Sequence, residues 1–311
     1  VSSCAPLFSL PHMLSTIRHT LRISRQLRYL SAASAAETDA SSSLVEVTSN
    51  PKGVYTVTLN NPKKHNALSF DMFEAISKTA QSLRDDKSVR AVVLTGSGKS
   101  FCSGLDVPSM AKNPMNGVTL LTRPYPAAPG TPISNLAQDV GYLWRQCPFP
   151  VIAAIHGKCF GGGLQIALGA DFRYAAPETE FSIMEAKWGI IPDMSGSVTL
   201  REVGRLDWIK ELAMTARIFK TDEAVKYGIV SREVEDPLEE ANKIAEEIAS
   251  RSPDSVALTK QLLNDTWNNM AEKDALELES ELQKKLLPSW NQMAASAKNF
   301  GMDVPYSSRS V

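Results

Sequence analysis

Hydrophobic and polar positions change period repeatedly along the chain, and the changes predict alternating strands and helices. Two segments of period two, 44–48 and 54–59, flank the turn Pro51-Lys52-Gly53 and predict a β-hairpin. Apolar runs bounded by glycine turns predict buried strands, and apolar residues spaced three and four apart predict helices. The other predicted elements are strands at 90–95, 151–155, 172–175 and 180–183, and helices at 70–83, 133–145, from 162 and beyond 194.

This order of elements predicts an α/β layer, because strands that alternate with helices are joined by crossover connections. Residues 107–133 are rich in Pro, Gly, Asn and Met and have no clear period, so they predict a lid or surface excursion. We divide the chain into residues 1–43, a core at 44–236 and a helical region at 237–311.

The first 36 residues differ from the rest because they combine many serines with Arg18, Arg22, Arg25 and Arg28 and contain no Asp or Glu. This composition is typical of a mitochondrial transit peptide. We therefore predict a leader and linker over residues 1–43 and location in the mitochondrial matrix. The alternative is a disordered basic tail.

Charge and cysteine content argue against several classes of partner. The formal net charge of -1 provides no basic stripe for nucleic acid. No apolar run approaches the roughly 20 residues of a membrane span. The four cysteines have no CxxC spacing and no accompanying histidines, so we expect reduced thiols and no metal site.

Two glycine-containing motifs each follow a predicted buried strand. The first, Phe101-Cys-Ser-Gly-Leu-Asp106, allows a sharp turn that points a backbone amide outward, although an ordinary tight turn would look the same. The second, His156-Gly-Lys-Cys-Phe-Gly-Gly-Gly-Leu-Gln165, opens a helix whose free amides suit an oxyanion. Its alternative is close packing of helix on strand, and the absent GxGxxG pattern argues against a dinucleotide site.

A third motif, Phe181-Ser-Ile-Met-Glu-Ala-Lys-Trp-Gly-Ile-Ile-Pro-Asp193, places two carboxylates in an apolar stretch. Burial raises a carboxyl pKa, and two carboxyls at different depths can take separate acid and base roles. The alternative for Asp193 is an N-cap of a helix that begins near residue 194.

These three motifs, together with Asn60-Asn-Pro-Lys-Lys-His-Asn-Ala-Leu68, occur in the order found in the enoyl-CoA hydratase/isomerase family, which the chain resembles over about residues 44–270. The resemblance implies a crotonase-like ββα spiral with a helical C-terminal region. It also implies an acyl-CoA thioester as substrate, with CoA part of the substrate and no separate cofactor.

The resemblance further assigns roles to individual residues. The backbone amides of Ser103 and Gly162 are expected to form an oxyanion hole for the thioester carbonyl. Hydratases of the family use two glutamates, one at Glu185 and one where this chain has Gln165, which cannot exchange a proton near neutral pH. Glu185 alone matches the base kept by the isomerases.

Asp193 narrows the expectation, because dienoyl-CoA isomerases have an aspartate there and use it with the glutamate as a proton-transferring pair. We therefore expect an isomerase of fatty-acid β-oxidation with Glu185 and Asp193 as catalytic groups. Dienoyl-CoA isomerases usually carry Asp at the position of Gln165, so the match is incomplete.

The family places the CoA nucleotide near the loop after the first hairpin. Candidate substrate contacts are therefore Lys63, Lys64 and Ala67, with Gln165, Leu105 and Asp106 nearer the acyl group. The alternative for the two lysines is a solvated basic turn.

Three other functions stay open at this point. The first is an enoyl-CoA hydratase or monoenoyl isomerase that uses Glu185, and the second is an inactive crotonase-fold subunit of a larger mitochondrial complex, an alternative that Gln165 keeps open. The third is a hydrolase or decarboxylase of the same fold. The resemblance also implies a homotrimer or homohexamer, with the helices of 237–297 covering a neighbouring site. The 107–133 excursion is expected to set acyl-chain length.

Overall fold

A computed structural model of the protein describes residues 43–122, 133–268 and 270–311. The predicted leader lies outside the described residues except for Ser43, and so does the end of the predicted excursion, 123–132. None of the described helices is both long and apolar enough to cross a membrane.

The main sheet forms the framework of the fold, and its six strands are β1 Val45–Ser49, β2 Val54–Leu59, β3 Ala91–Gly96, β4 Val151–Ile155, β6 Phe172–Ala175 and β8 Arg232–Glu233. They lie side by side in the order β1-β2-β3-β4-β6-β8. The predicted hairpin is confirmed, since β1 and β2 pair antiparallel, and the remaining neighbours pair parallel.

A second, short sheet pairs β5 (Lys158–Phe160) with β7 (Glu180–Ser182) in parallel. An isolated bridge between Cys102 and Cys159 joins this sheet to the first glycine motif. The pattern missed β5 and β8 because three or two residues are too few to show a period. The bridge matters because it brings the first and second motifs side by side.

Helices surround the sheets. They are α1 Phe70–Asp85, α2 Val107–Lys112, α3 Pro114–Leu121, α4 Leu136–Gln146, α5 Gly162–Leu168, α6 Gly196–Val203, α7 Leu206–Thr215, α8 Thr221–Lys226, α9 Pro237–Ala249, α10 Pro253–Thr266, α11 Glu272–Leu286 and α12 Trp290–Asn299. The described part of the predicted excursion therefore contains two helices that its pattern did not show, and its role as a lid or surface excursion stays a prediction. Each of its helices has a proline in the first turn, a position where the missing N–H costs no hydrogen bond.

The main sheet is buried on both faces, and alternate residues of one strand enter different clusters. Val92 and Leu94 of β3 belong to the larger apolar cluster, whereas Ala91 and Val93 pack on the other side. This arrangement follows from the period of two along a strand and explains why β3 is apolar throughout. Helix α1 contributes its buried stripe to the larger cluster, and Ala241 of α9 belongs to the other.

The described cysteines Cys102, Cys147 and Cys159 are free and buried. Helix α9, the first of the predicted oligomerisation region, packs against strands of its own chain. Its small residues Ala241 and Ala245 allow this close approach. The role of the 237–311 region in assembly stays a prediction.

Candidate active site

A cavity of about 430 Å³ lies beyond the carboxyl ends of β3 and β5 and is lined by parts of all three motifs. Ser103, Leu105, Gly162, Glu185 and Asp193 all line it. Its other walls are mainly apolar, and residues of α2 and α3 form one side. These apolar walls include Phe73, Met110, Leu120, Met184, Trp188 and Ile190. A cavity of this volume is in the range of small-molecule sites.

Glu185 opens a short 3-10 turn (Glu185–Trp188) and is only 5% exposed. Its Oε1 accepts a hydrogen bond from Nε2 of Gln165 at 2.6 Å, while its buried Oε2 has no hydrogen-bond partner. Burial raises the pKa of Glu185, because a desolvated carboxylate is disfavoured, and the nearby charge of Asp193 raises it further. The hydrogen bonds from Gln165 and from the backbone oppose this rise in pKa.

Asp193 also lines this cavity and is half-buried. It is not a helix cap, because α6 begins at Gly196 and Ser195 precedes it with a left-handed φ of 75°. The N-cap alternative is therefore wrong. Burial raises the pKa of Asp193 as it does that of Glu185. Glu185 and Asp193 are the titratable groups among the residues that line the cavity, and neither forms an ion pair within the described chain.

Gln165 contacts Glu185 and is not among the residues that line the cavity, and its role as a substrate contact stays a prediction. It is 2% exposed, on α5, where consecutive residues are buried against the sheets. Its Oε1 accepts hydrogen bonds from the backbone N–H groups of Met194 and Gly196, at 2.9 and 3.0 Å. The side chain therefore connects Glu185 with the backbone next to Asp193.

The backbone amides of the first motif differ from the prediction. The N–H of Ser103 donates to the carbonyl oxygen of His65 at 2.9 Å, so it is not free to bind a substrate oxygen. The N–H of Leu105, two residues later, has no acceptor within the described chain. The N–H of Gly162 likewise has none, because it is the first residue of α5.

Gly104 allows these two free amides to approach each other. It has a φ of 87°, and an added Cβ would lie 2.8 Å from the carbonyl oxygen of Phe160 and 3.8 Å from the nitrogen of Gly162. A larger residue would therefore separate the two motifs. Sequence reasoning placed Leu105 in the right motif but assigned the donor role to Ser103.

The reason for that difference lies in the turn after β2. Asn66 is fully buried, and its Nδ2 donates to the carbonyl oxygens of Ser97, Ser100 and Phe101. This side chain fixes the loop after β3 against the turn, so the carbonyl of His65 reaches the N–H of Ser103. No local sequence signal predicts such a contact across 38 residues.

The predicted CoA-binding residues do not line the cavity. Lys63 and Lys64 are exposed, and Ala67 is buried. Lys64 Nζ donates to Oδ2 of Asp106 at 2.7 Å, and Oδ1 of Asp106 accepts from the N–H of Ser109 as the N-cap of α2. The hydrogen bond from Lys64 holds the pKa of Asp106 below its usual value. Asp106 thus has a structural contact on each oxygen, and the CoA role of the lysines stays a prediction.

No group of three or more His, Cys, Asp or Glu residues in the described ranges has the arrangement of a metal site.

The chain is similar in sequence and in structure to known proteins. Residues 49–300 match the sequence profile of Enoyl-CoA hydratase/isomerase. The mitochondrial Delta(3,5)-Delta(2,4)-dienoyl-CoA isomerase of Rattus norvegicus is 32% identical over 276 residues, which is 80% of this chain and 81% of the relative. Short-chain-enoyl-CoA hydratase of Clostridium acetobutylicum is 34% identical, covering 68% of this chain and 77% of the relative. The crystal structure of enoyl-CoA hydratase from Bacillus anthracis matches with a TM-score of 0.73 and 27% identity, over 85% of this chain and 98% of that one.

Proposed function

Because the chain belongs to the Enoyl-CoA hydratase/isomerase family, we propose that it is an acyl-CoA double-bond isomerase of fatty-acid β-oxidation that acts on 3,5-dienoyl-CoA. The observation that carries this proposal is the pair Glu185 and Asp193, which line one apolar cavity without a cationic partner in the described chain. Burial raises the pKa of both carboxyls, and the charge of Asp193 raises that of Glu185 further, so the two groups differ in their electrostatic surroundings, as separate acid and base roles require.

In the proposed reaction the thioester oxygen accepts hydrogen bonds from the N–H groups of Leu105 and Gly162. One carboxylate removes a proton from C2, the C2–H electron pair forms a C1=C2 bond, and the carbonyl π pair moves onto the thioester oxygen to give a dienolate. When the oxyanion re-forms the C1=O bond, the C1=C2 pair moves to C2–C3. The C3=C4 pair moves to C4–C5, and the C5=C6 pair takes a proton at C6 from the other carboxyl. The product is a 2,4-dienoyl-CoA, and no water is consumed. The amides stabilise negative charge where it develops on the oxygen.

Hydration is the second candidate, because a hydratase is among the similar proteins. The neutral Gln165 argues against it, since adding water to a double bond is helped by a second group that can exchange a proton, and an amide cannot. A single carboxyl pair is sufficient to relocate a proton.

The test is a direct comparison of two substrates with the purified protein. We expect 3,5-dienoyl-CoA to give the near-ultraviolet absorbance of a conjugated 2,4-dienoyl thioester, with slow loss of the absorbance of crotonyl-CoA. Brisk hydration of crotonyl-CoA with unchanged 3,5-dienoyl-CoA would overturn the proposal. Failure to bind any acyl-CoA, with co-purification in a larger mitochondrial complex, would favour an inactive subunit.

Location and assembly belong to the same proposal. The composition of residues 1–36 and the mitochondrial names of several relatives support location in the mitochondrial matrix. Exposed apolar residues in the C-terminal region, such as Leu276, Trp290 and Met293, support assembly into a homotrimer or homohexamer. Import into isolated mitochondria and light scattering of the purified protein test these two points.

A further inference from the structure

We propose that Gln165 is a positioning residue that leaves Oε2 as the proton-exchanging oxygen of Glu185 and holds the backbone beside Asp193, so that the two carboxyls keep their alignment. This inference rests on the proposed isomerase function and extends it to a side chain that is not among the residues that line the cavity. It is carried by three hydrogen bonds around one buried amide.

The orientation of the Gln165 amide is determined by its neighbours. The amide oxygen lies between two N–H donors, those of Met194 and Gly196. If oxygen and nitrogen were exchanged, the amide NH₂ would face these two donors and no acceptor would remain for them. Nε2 must therefore face Glu185, as it does at 2.6 Å from Oε1.

This orientation determines where a proton can lie on Glu185. A proton on Oε1 would face the N–H of Gln165 and displace its hydrogen bond, so the proton of the neutral acid belongs on Oε2. Oε2 is buried and has no partner in the described chain, and Glu185 lines the cavity. Oε1 is therefore committed to Gln165, and Oε2 is the oxygen of Glu185 that is left without a partner in the described chain.

The same amide fixes the backbone that carries Asp193. Ser195, between the two donors, has a left-handed φ of 75°, which is uncommon for a residue with a side chain. At Gly196 an added Cβ would lie 2.8 Å from Oε1 of Gln165, so a glycine is needed for the close approach. Gln165 thus holds one carboxyl directly and the segment of the other through two N–H groups.

The uncharged amide of Gln165 also affects the protonation of Glu185, in a chain that has glutamine where dienoyl-CoA isomerases usually carry Asp. A glutamate there would place a carboxylate oxygen next to Oε1 of Glu185, and the two carboxyls would share a proton. The remaining titratable group that lines the cavity is Asp193. An extra acid would therefore change the protonation of the whole site and provide a second group able to activate water.

The experiment uses Gln165→Glu and Gln165→Met in the full chain, with Gln146→Glu as the matched control because Gln146 is exposed at the end of α4 and does not line the cavity. We expect Gln165→Met to lower kcat for 3,5-dienoyl-CoA about a hundredfold, with KM nearly unchanged, because the carboxyls lose their alignment. Gln165→Glu still offers an acceptor to Met194 and Gly196 and serves if Gln165→Met fails to fold.

For Gln165→Glu we expect the acid limb of the kcat/KM profile to move to higher pH, and the ratio of crotonyl-CoA hydration to dienoyl isomerisation to rise at least tenfold. The control should match the wild-type protein in both. A wild-type pH profile and ratio in Gln165→Glu would overturn the inference. Glu185→Gln separates the two levels: if that variant stays active the proposed function fails, whereas an inactive Glu185→Gln with a wild-type-like Gln165→Glu removes only the role of Gln165.

Discussion

Two cavities lie at different ends of the parallel strands, and the larger one is not the candidate active site. The larger cavity, about 620 Å³, borders the amino ends of β4 and β6. Its charges are matched, since Arg145 pairs with Glu202 at 2.7 Å and Lys260 with Asp171 at 2.8 Å. The guanidinium of Arg173 donates to two backbone carbonyls.

The smaller cavity has the opposite character. Glu185 and Asp193 have no cation beside them in the described chain, Oε2 of Glu185 has no partner, and the N–H groups of Leu105 and Gly162 are free. A buried polar group without a partner costs stability and is usually explained by function. Unsatisfied groups therefore identify the active site better than volume does.

The largest expected effect is on catalysis by Glu185→Gln. Removing the proton-transferring carboxyl should lower kcat for dienoyl isomerisation about a thousandfold, within the range of general acid–base catalysis. Steady-state kinetics with 3,5-dienoyl-CoA measures it. Glu202→Gln is the matched control in the larger cavity, since it makes the same chemical change beside Arg145. Equal losses of kcat in the two variants would contradict the distinction between the cavities.

Asp193→Asn should lower kcat less, about a hundredfold, because solvent can partly replace a half-buried carboxyl as proton donor. The decisive measurement is the rate with 3,5-dienoyl-CoA. Isomerisation of 3,5-dienoyl-CoA should fall, because it needs groups near both C2 and C6. A variant with full dienoyl activity would leave Glu185 as the sole proton carrier and contradict the role of Asp193.

In the larger cavity the expected effect is on stability. Lys260 is 8% exposed at its side chain, and its Nζ donates to Asp171 and to the carbonyl oxygens of Trp144 and Phe149. Lys260→Met should lower the free energy of unfolding by about 3 kcal/mol, because it leaves Asp171 without its cation. The kcat of the folded fraction should not change.

Denaturant unfolding measures this effect, and Lys284→Met is its control. Lys284 pairs with Glu281 on the surface, where both side chains are mostly exposed. Its loss should change the free energy of unfolding by less than about 1 kcal/mol. If both lysine variants lose the same stability, the charges of the larger cavity are not specially stabilising.

Part of the fold and of the smaller cavity could be predicted from the sequence. The hairpin, β4 and α1 follow from period and length, and the sequence placed Glu185, Asp193 and Gly162 in one site through the family resemblance. Helices α2 and α3 were missed because six and eight residues are too short for a reliable period.

Long-range hydrogen bonds account for the remaining differences. The N–H of Ser103 donates to the carbonyl oxygen of His65. The side chain of Gln165 bonds to Glu185 and to two N–H groups near residue 195. Such contacts join residues 20 or more positions apart, so no window of sequence contains them. The motif located the donor only to within two residues.

The smallest expected effect is a gain of stability in Glu185→Gln and Asp193→Asn. Because burial raises both pKa values in the folded state, the folded protein keeps protons that the unfolded chain releases. The wild-type free energy of unfolding therefore falls as the pH rises from the ordinary carboxyl pKa through the raised one, and it stays lower above that. An amide has no such dependence, so each variant should have a higher Tm than the wild type at neutral pH and no advantage below the ordinary carboxyl pKa.

Glu281→Gln is the control with the opposite sign, because the hydrogen bond from Lys284 lowers the pKa of Glu281. A variant of Glu185 or Asp193 that melts below the wild type at neutral pH, while Glu281→Gln does not rise, would mean that these carboxylates stabilise the fold and are not held there for chemistry.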